Sequence, residues 1–173
     1  MVTPLFLLRP HESLEMDGIA VSIEHPLESE VSCLLAQSNA VAAKLYPGEY
    51  RRPITAEALA KPGTYVLIAR VAENAMRLCV LFDRGDHTME LKRMIVEEAA
   101  RRKGIGTALL RGAEAEALRL GAHTVLLEVG TRNTDAQALY RRWRYQSCEP
   151  FSPYATSPIS IFMPRPLNGP ASH

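Results

Sequence analysis

Between Tyr65 and Leu120 the hydrophobic pattern changes period once, and a basic, glycine-bearing turn stands at the change. Before it, Tyr65–Val71, Met76–Phe82 and Thr88–Val96 are apolar, β-branched or aromatic runs parted by Glu73-Asn74 and Asp83-Arg84-Gly85-Asp86. Such runs with such turns predict three strands in an antiparallel meander. After it, Ile105, Leu109, Ala113, Ala117 and Leu120 lie on one helix face. Arg111, Glu114 and Arg119 lie off that stripe, and Gly121 follows as a C′ residue would.

The flanks extend this order. Residues 1–10 and 18–24 read as short extended segments, the first preferred over a signal peptide because it contains Pro4 and has no basic residue before it. Glu28 to Lys44 has helical spacing, and Tyr46-Pro47-Gly48 ends it. Thr55 to Ala60 predicts a short helix capped by Thr55. Val125-Leu126-Leu127 reads as a strand covered on both faces. Asp135 to Trp143 reads as a helix capped by Asn133 or Thr134. Tyr145–Cys148 and Pro158–Met163 are expected to close the sheet around the Pro-rich loop 149–158. The expected architecture is α/β, a mixed and mostly antiparallel central sheet flanked by helices. Residues 1–163 form one expected domain and 164–173 a frayed tail.

Composition narrows the function classes. Of 173 residues, 47% are hydrophobic, enough for a packed core. Twenty basic and 19 acidic side chains leave a net charge of +1, so neither nucleic acid nor a membrane surface is an expected partner. Apolar runs are too short for a membrane span. Cys33, Cys79 and Cys148 are odd in number and lack CxxC spacing, and the five histidines form no ligand pattern. Reduced thiols, a cytoplasmic location and no metal are expected.

Arg101-Arg102-Lys103-Gly104-Ile105-Gly106 carries the sharpest chemistry. A glycine turn opening a helix exposes free N–H groups, the helix dipole favours an anion, and basic neighbours suit a polyphosphate. A solvated basic turn is the bland alternative. Leu109 stands where a dinucleotide loop needs its third glycine, and no Gly-Lys-Ser/Thr ending forms a P-loop.

Glu90-Leu-Lys-Arg-Met-Ile-Val96, followed by Arg101-x-x-Gly104-x-Gly106, resembles the acyl-CoA motif of the GNAT superfamily, Q/R-x-x-G-x-G/A. Leu127–Asn133 followed by Ala138-Leu139-Tyr140 resembles the family's next motif, and Pro150–Tyr154 a loop of a bacterial subgroup. The likeness is good over residues 65–163 and loose before them.

The resemblance implies an N-acetyltransferase with acetyl-CoA as co-substrate and a small-molecule or peptide amine as acceptor. A homodimer is left open. It implies that Met94, Ile95 and Val96 meet pantetheine. Arg101, Arg102, Lys103, Gly104, Ile105, Gly106 and Thr107 would hold the pyrophosphate, and Asn133 would contact CoA. Glu90 would be the general base, with Glu128 as runner-up, and Tyr140 the acid toward the leaving thiolate. Arg93, Glu128, Phe151 and Tyr154 would face the acceptor. Transfer would be direct, in a ternary complex. The competing readings are a catalytically inactive acyl-CoA sensor and a phosphate- or nucleotide-binding module. Two departures stand out. Arg144 replaces a glycine usual just after the Tyr140 helix, and the strand at 76–82 lacks a customary glycine.

Overall fold

The computed structural model describes residues 14–46, 54–94 and 104–167. The expected first strand at 1–10, Pro47-Gly48 and the last residues of the tail lie outside them. The elements run β1 (Leu14–Met16), β2 (Ile19–Glu24), α1 (Ser29–Leu45), α2 (Ala56–Leu59), β3 (Thr64–Val71), β4 (Asn74–Asp83), β5 (Thr88–Lys92), α3 (Ile105–Arg119), β6 (Thr124–Gly130), α4 (Thr134–Arg142) and β7 (Ser160–Pro166). The seven strands form one sheet in sequence order. Every pairing is antiparallel except β5 with β6, where the α3 crossover returns the chain in the same direction.

Two apolar clusters sit on opposite faces of the sheet. One joins Leu67, Cys79, Leu81, Met89, Leu91, Val125, Leu127 and Met163 to α3 and α4. The other joins Val66, Ile68, Leu78 and Val80 to Val31, Leu34 and Leu35 of α1 and to Ala56 and Leu59 of α2. Alternation along β3 and β4 feeds both clusters, which is why these strands read as continuous apolar runs.

Several expectations need correction. Val125-Leu126-Leu127 is not covered on both faces: Val125, Leu127 and Val129 are buried, while Leu126 and Glu128 are half-buried. Helices α1 and α2 pack chiefly against β4 and β3. Tyr145–Cys148 forms no strand but a single bridge from Cys148 to Phe162. The following prolines, Pro150 and Pro153, cannot donate to a ladder. The tail does not begin at residue 164, because β7 pairs with β6 as far as Pro166 and the Leu167 N–H donates to the His123 carbonyl at 2.6 Å. The strand from Thr88 stops at Lys92, where Arg93 takes φ +63° and breaks the extended chain.

Glu114 lies off the apolar stripe of α3 and is nonetheless 6% exposed. It accepts from the Tyr145 hydroxyl at 3.3 Å and from Arg111 at 3.5 Å, and it pairs with Arg165 of β7. A buried carboxylate persists where cations and donors surround it. Helix α3 lies close to the sheet because Gly112 leaves room: a Cβ there would meet Val21 Cγ1 at 2.5 Å.

Candidate active site

The ladder between β5 and β6 pairs Thr88 with Thr124 through Leu91 with Leu127 and then stops. Strand β6 continues to Gly130 against β7, whereas β5 ends at Lys92. The two strands part, and a cleft of about 200 Å³ opens over the gap. Its walls include Glu90, Met94, Glu128, Asn133, Ala136 and Tyr140, with Ser38 and Leu45 of α1. Sequence-predicted residues from three separate segments therefore share one cavity.

Glu90 is 5% exposed. Its Oε1 accepts from the Tyr154 hydroxyl at 2.7 Å and lies 3.6 Å from Lys92 Nζ. Its Oε2 accepts from Arg84 at 3.3 Å. Two cations and a phenol thus hold one buried carboxylate. Arg84 also donates to the Ser152 carbonyl and stacks 4.9 Å from the Phe151 ring centroid. Phe151, Tyr154 and Phe162 form an aromatic trio with centroids 5.4–5.6 Å apart. The loop 149–158 is anchored through these contacts on the Glu90 side of the sheet. Burial, then the hydrogen bond to Glu90, push the Tyr154 phenol above its ordinary value, so it stays a donor at neutral pH.

Glu128, in the next strand, accepts from Ser160 Oγ at 2.5 Å. Tyr140 is 5% exposed and lines the cleft, and among the described residues no hydrogen bond to its hydroxyl is formed. Desolvation first, then Cys79, push its phenol up, which keeps it protonated across the neutral range.

The end of α4 explains how Tyr140 is held. The Tyr145 N–H donates to the Tyr140 carbonyl at 3.0 Å and the Arg144 N–H to the Arg141 carbonyl at 3.1 Å. That bond pair is a Schellman cap with Arg144 at the left-handed position, φ +70°. The rings of Tyr140 and Tyr145 pack 5.6 Å apart across it. Arginine occupies the conformation that glycine would take, and the helix end is not rebuilt. At the other end, Asn133 Oδ1 accepts from the Ala136 N–H at 3.2 Å, so Asn133 both caps α4 and lines the cleft.

Gly104, at φ +95°, is the N-cap of α3. Ile105, Gly106 and Thr107 form the helix's first turn, whose N–H groups have no partner inside the helix. Ile95, Val96, Arg101, Arg102 and Lys103 lie outside the described residues. Arg93 lines the cleft, and its carbonyl accepts from Ser38 Oγ at 3.4 Å. An extended amide chain ending in a pyrophosphate fits this arrangement: an unpaired strand edge, a cleft beside it and a left-handed glycine opening a helix.

The sequence reading missed Arg84, Lys92, Phe82, Ser160 and Tyr46. Alternation along β5 placed Lys92 on the face of Glu90, a signal available in advance. Tyr46 gave none. It packs where a Cβ on Gly130 would come within 1.8 Å of its hydroxyl oxygen, and that hydroxyl accepts from the Arg132 N–H at 3.0 Å. Among the described residues no group of three or more His, Cys, Asp and Glu side chains is placed to hold a metal ion. No helix among them is long and apolar enough to cross a membrane.

Residues 32–144 match the Acetyltransferase (GNAT) family. The chain is 33% identical over 153 residues to the IAA acetyltransferase of Azospirillum brasilense, covering 88% of this chain and all of that one. A crystal structure of a candidate acyl-CoA N-acyltransferase from Klebsiella pneumoniae subsp. pneumoniae MGH 78578 superposes with a TM-score of 0.72 at 26% identity, over 87% of this chain and 98% of that one. A GNAT family acetyltransferase from Elizabethkingia anophelis with acetyl-CoA bound shares the fold, with a TM-score of 0.62 at 14% identity over 87% and 99% of the two chains. With its parted strands, glycine-opened crossover helix and family match, the chain belongs to the GNAT acetyltransferase family and is an acyl-CoA-dependent N-acetyltransferase.

Proposed function

We propose that this enzyme moves an acetyl group from acetyl-CoA to a primary amine of a small-molecule or peptide acceptor, directly within a ternary complex. One observation carries the reading: β5 and β6 part after Leu91 and Leu127 over a cleft walled by Glu90, Glu128 and Tyr140. The strand edge at Met94, continued by Ile95 and Val96, is assigned to pantetheine. Gly104, Ile105, Gly106 and Thr107, with Arg101, Arg102 and Lys103 beside them in sequence, are assigned to the pyrophosphate. Asn133 faces the same ligand across the cleft. When bound, acetyl-CoA supplies an acetyl group activated as a thioester.

The remaining roles belong to side chains of this protein. Glu90 takes a proton from the acceptor ammonium, because a protonated amine is no nucleophile. Both its oxygens already have donors, so the amine must displace one of them, and Tyr154, on the loop, is the partner best placed to yield. The backbone N–H near Met94 is assigned to the negative charge that develops on acyl transfer. Tyr140 holds the proton needed by the departing sulfur. Direct transfer is supported by the state of the one buried thiol among the described residues. Cys79 is wholly buried, and burial pushes its pKa up, away from a reactive thiolate. Phe151 and Tyr154 wall the acceptor side, with Arg93 for an acceptor carboxylate.

A second assignment of the base rests on a specific contact. Glu128 accepts one recorded hydroxyl, from Ser160, and faces the same gap from β6. A thiol-release screen with acetyl-CoA against an amine library tests the activity. IAA joins the panel because of the Azospirillum relative's name. Release with at least one acceptor above background hydrolysis is expected. Tight acetyl-CoA binding without release would instead make the chain a sensor. Glu90→Gln is expected to lower the rate about 10²–10⁴-fold, with a deficit that shrinks as pH rises. An unchanged rate would pass the role to Glu128, tested by Glu128→Gln.

A further inference from the structure

Lys92 lines the same cleft, two positions along β5 from Glu90 and on the same side of the strand. Its Nζ lies 3.6 Å from Glu90 Oε1. The Phe82 ring centroid is 5.5 Å away and the Tyr154 centroid 5.4 Å. A carboxylate with two aromatic faces is a recognition site for an alkylammonium. Sheet register builds the site: Val80 pairs with Lys92, and Phe82 pairs with Glu90. The lysine side chain is 35% exposed, so it is not sealed in place.

We infer that Lys92 Nζ is itself an acceptor, and that this chain acetylates its own cleft lysine. The inference rests on the N-acetyl transfer proposed above. The step balances. The Lys92 ammonium gives one proton to Glu90. The freed nitrogen lone pair forms a bond to the acetyl carbonyl carbon. The carbon–sulfur bond breaks, its electron pair leaves with sulfur, and the second nitrogen proton passes to sulfur by way of Tyr140, so that it leaves as the CoA thiol. The product is a neutral Nε-acetyl-lysine. It has lost its ion pair with Glu90 and its cation–π contacts with Phe82 and Tyr154. External amines of suitable shape compete for the same position, so self-acetylation slows when a good acceptor is present.

The test is timed peptide mapping by mass spectrometry of the full chain incubated with acetyl-CoA at several protein concentrations. Lys44 and Lys61, both exposed, serve as internal references. Lys92 is expected to gain an acetyl group at least about tenfold faster than either, because it is held beside the reacting centre. Its first-order rate constant should not depend on protein concentration, and it should fall with excess acceptor amine or in Glu90→Gln. Acetylation that follows exposure across the three lysines overturns the inference. So does an unmodified Lys92 in a preparation that releases CoA with an external amine, and there the proposed transfer survives. Neither CoA release nor acetyl-Lys92 removes both.

Discussion

The Tyr154 hydroxyl donates a 2.7 Å hydrogen bond to Glu90, joining the loop after α4 to the middle of β5 across 64 residues of sequence. The contact places a mobile class of element, a loop, directly on the candidate base. In the proposed mechanism it also makes Tyr154 an occupant of the position an acceptor amine must take.

Tyr154→Phe removes that donor and keeps the ring in the aromatic trio. A hydrogen bond to a charged group contributes about 1.5–3 kcal/mol, and the half-buried position argues for the lower end. We expect a lower Tm with a kcat within a few fold of wild type and a lowered KM for the acceptor, which no longer has to displace the hydroxyl. Melting curves and steady-state kinetics on one preparation check this. A kcat reduced as far as that of Glu90→Gln would place Tyr154 in the chemistry instead of beside it.

Alkaline pH should unfold this protein early. Tyr140 and Tyr145 are both held above the ordinary phenol value, chiefly by burial. Below about pH 10 both folded and unfolded chains keep these protons, and stability is unaffected. Above that, the unfolded chain releases them while the folded chain retains them, so stability falls as pH rises. Each phenol can contribute up to about 1.4 kcal/mol per pH unit in that window. Denaturant titrations at pH 9 to 11 measure the slope. A flat profile that persists in Tyr145→Phe would mean the two rings are not sealed from solvent.

Arg144 gives the opposite kind of test, a substitution that should stabilise. Its φ of +70° costs a non-glycine residue about 1–2 kcal/mol, and its side chain is exposed. Glycine relieves that strain but gains freedom in the unfolded chain, which returns up to about 1 kcal/mol. Arg144→Gly should therefore raise stability by up to about 1 kcal/mol and leave kcat unchanged, because the Schellman bonds to Tyr140 and Arg141 are main-chain bonds. A lower Tm would show that the arginine side chain contributes more than its backbone costs.

Gly104 tests the proposed pyrophosphate turn. At φ +95°, with Ile19 Cδ1 3.7 Å from a built Cβ, alanine meets strain and not a clash. Gly104→Ala should cost at least about 1–2 kcal/mol and weaken CoA binding, since the first turn must shift to relieve the strain. Calorimetric affinity equal to wild type would separate this turn from the pyrophosphate.

What the sequence made legible was local. The meander, α3, the Asn133 cap and the cost of Arg144 follow from short-range rules of period and φ. Of the partners of Glu90, only Lys92 follows in the same way, two positions along one strand. Arg84 lies in a turn and Tyr154 in a loop, and only the fold around loop 149–158 brings them to Glu90. The burial of Glu114 was not legible for the same reason, because Arg165 reaches it from a strand 51 residues away. Val125-Leu126-Leu127 misled because composition cannot tell how far neighbouring helices cover each face of a strand.

Tyr140 remains the most direct test of the chemistry. It occupies the third-last position of α4, where its carbonyl receives the Schellman bond from Tyr145 and its ring packs on the Tyr145 ring. Its position is thus set by main-chain bonds and ring contact, independent of the hydroxyl. Burial keeps the phenol protonated, so at neutral pH it is available as a hydrogen-bond donor to the thiolate that forms in the cleft. A thiolate is a weaker base than this phenolate and a tolerable leaving group without help, so the benefit of the donor should be modest, about 10–100-fold. Tyr140→Phe keeps the packing and removes only the donor. We expect kcat to fall by that factor with the KM for acetyl-CoA nearly unchanged, the pattern of an interaction made mainly in the transition state. Because no hydrogen bond to the hydroxyl is formed among the described residues, the melting temperature should hold or rise slightly. A structural tyrosine would give the reverse, a lower Tm with kcat intact. A kcat within twofold of wild type would leave the departing sulfur to take its proton from solvent and would remove Tyr140 from the mechanism.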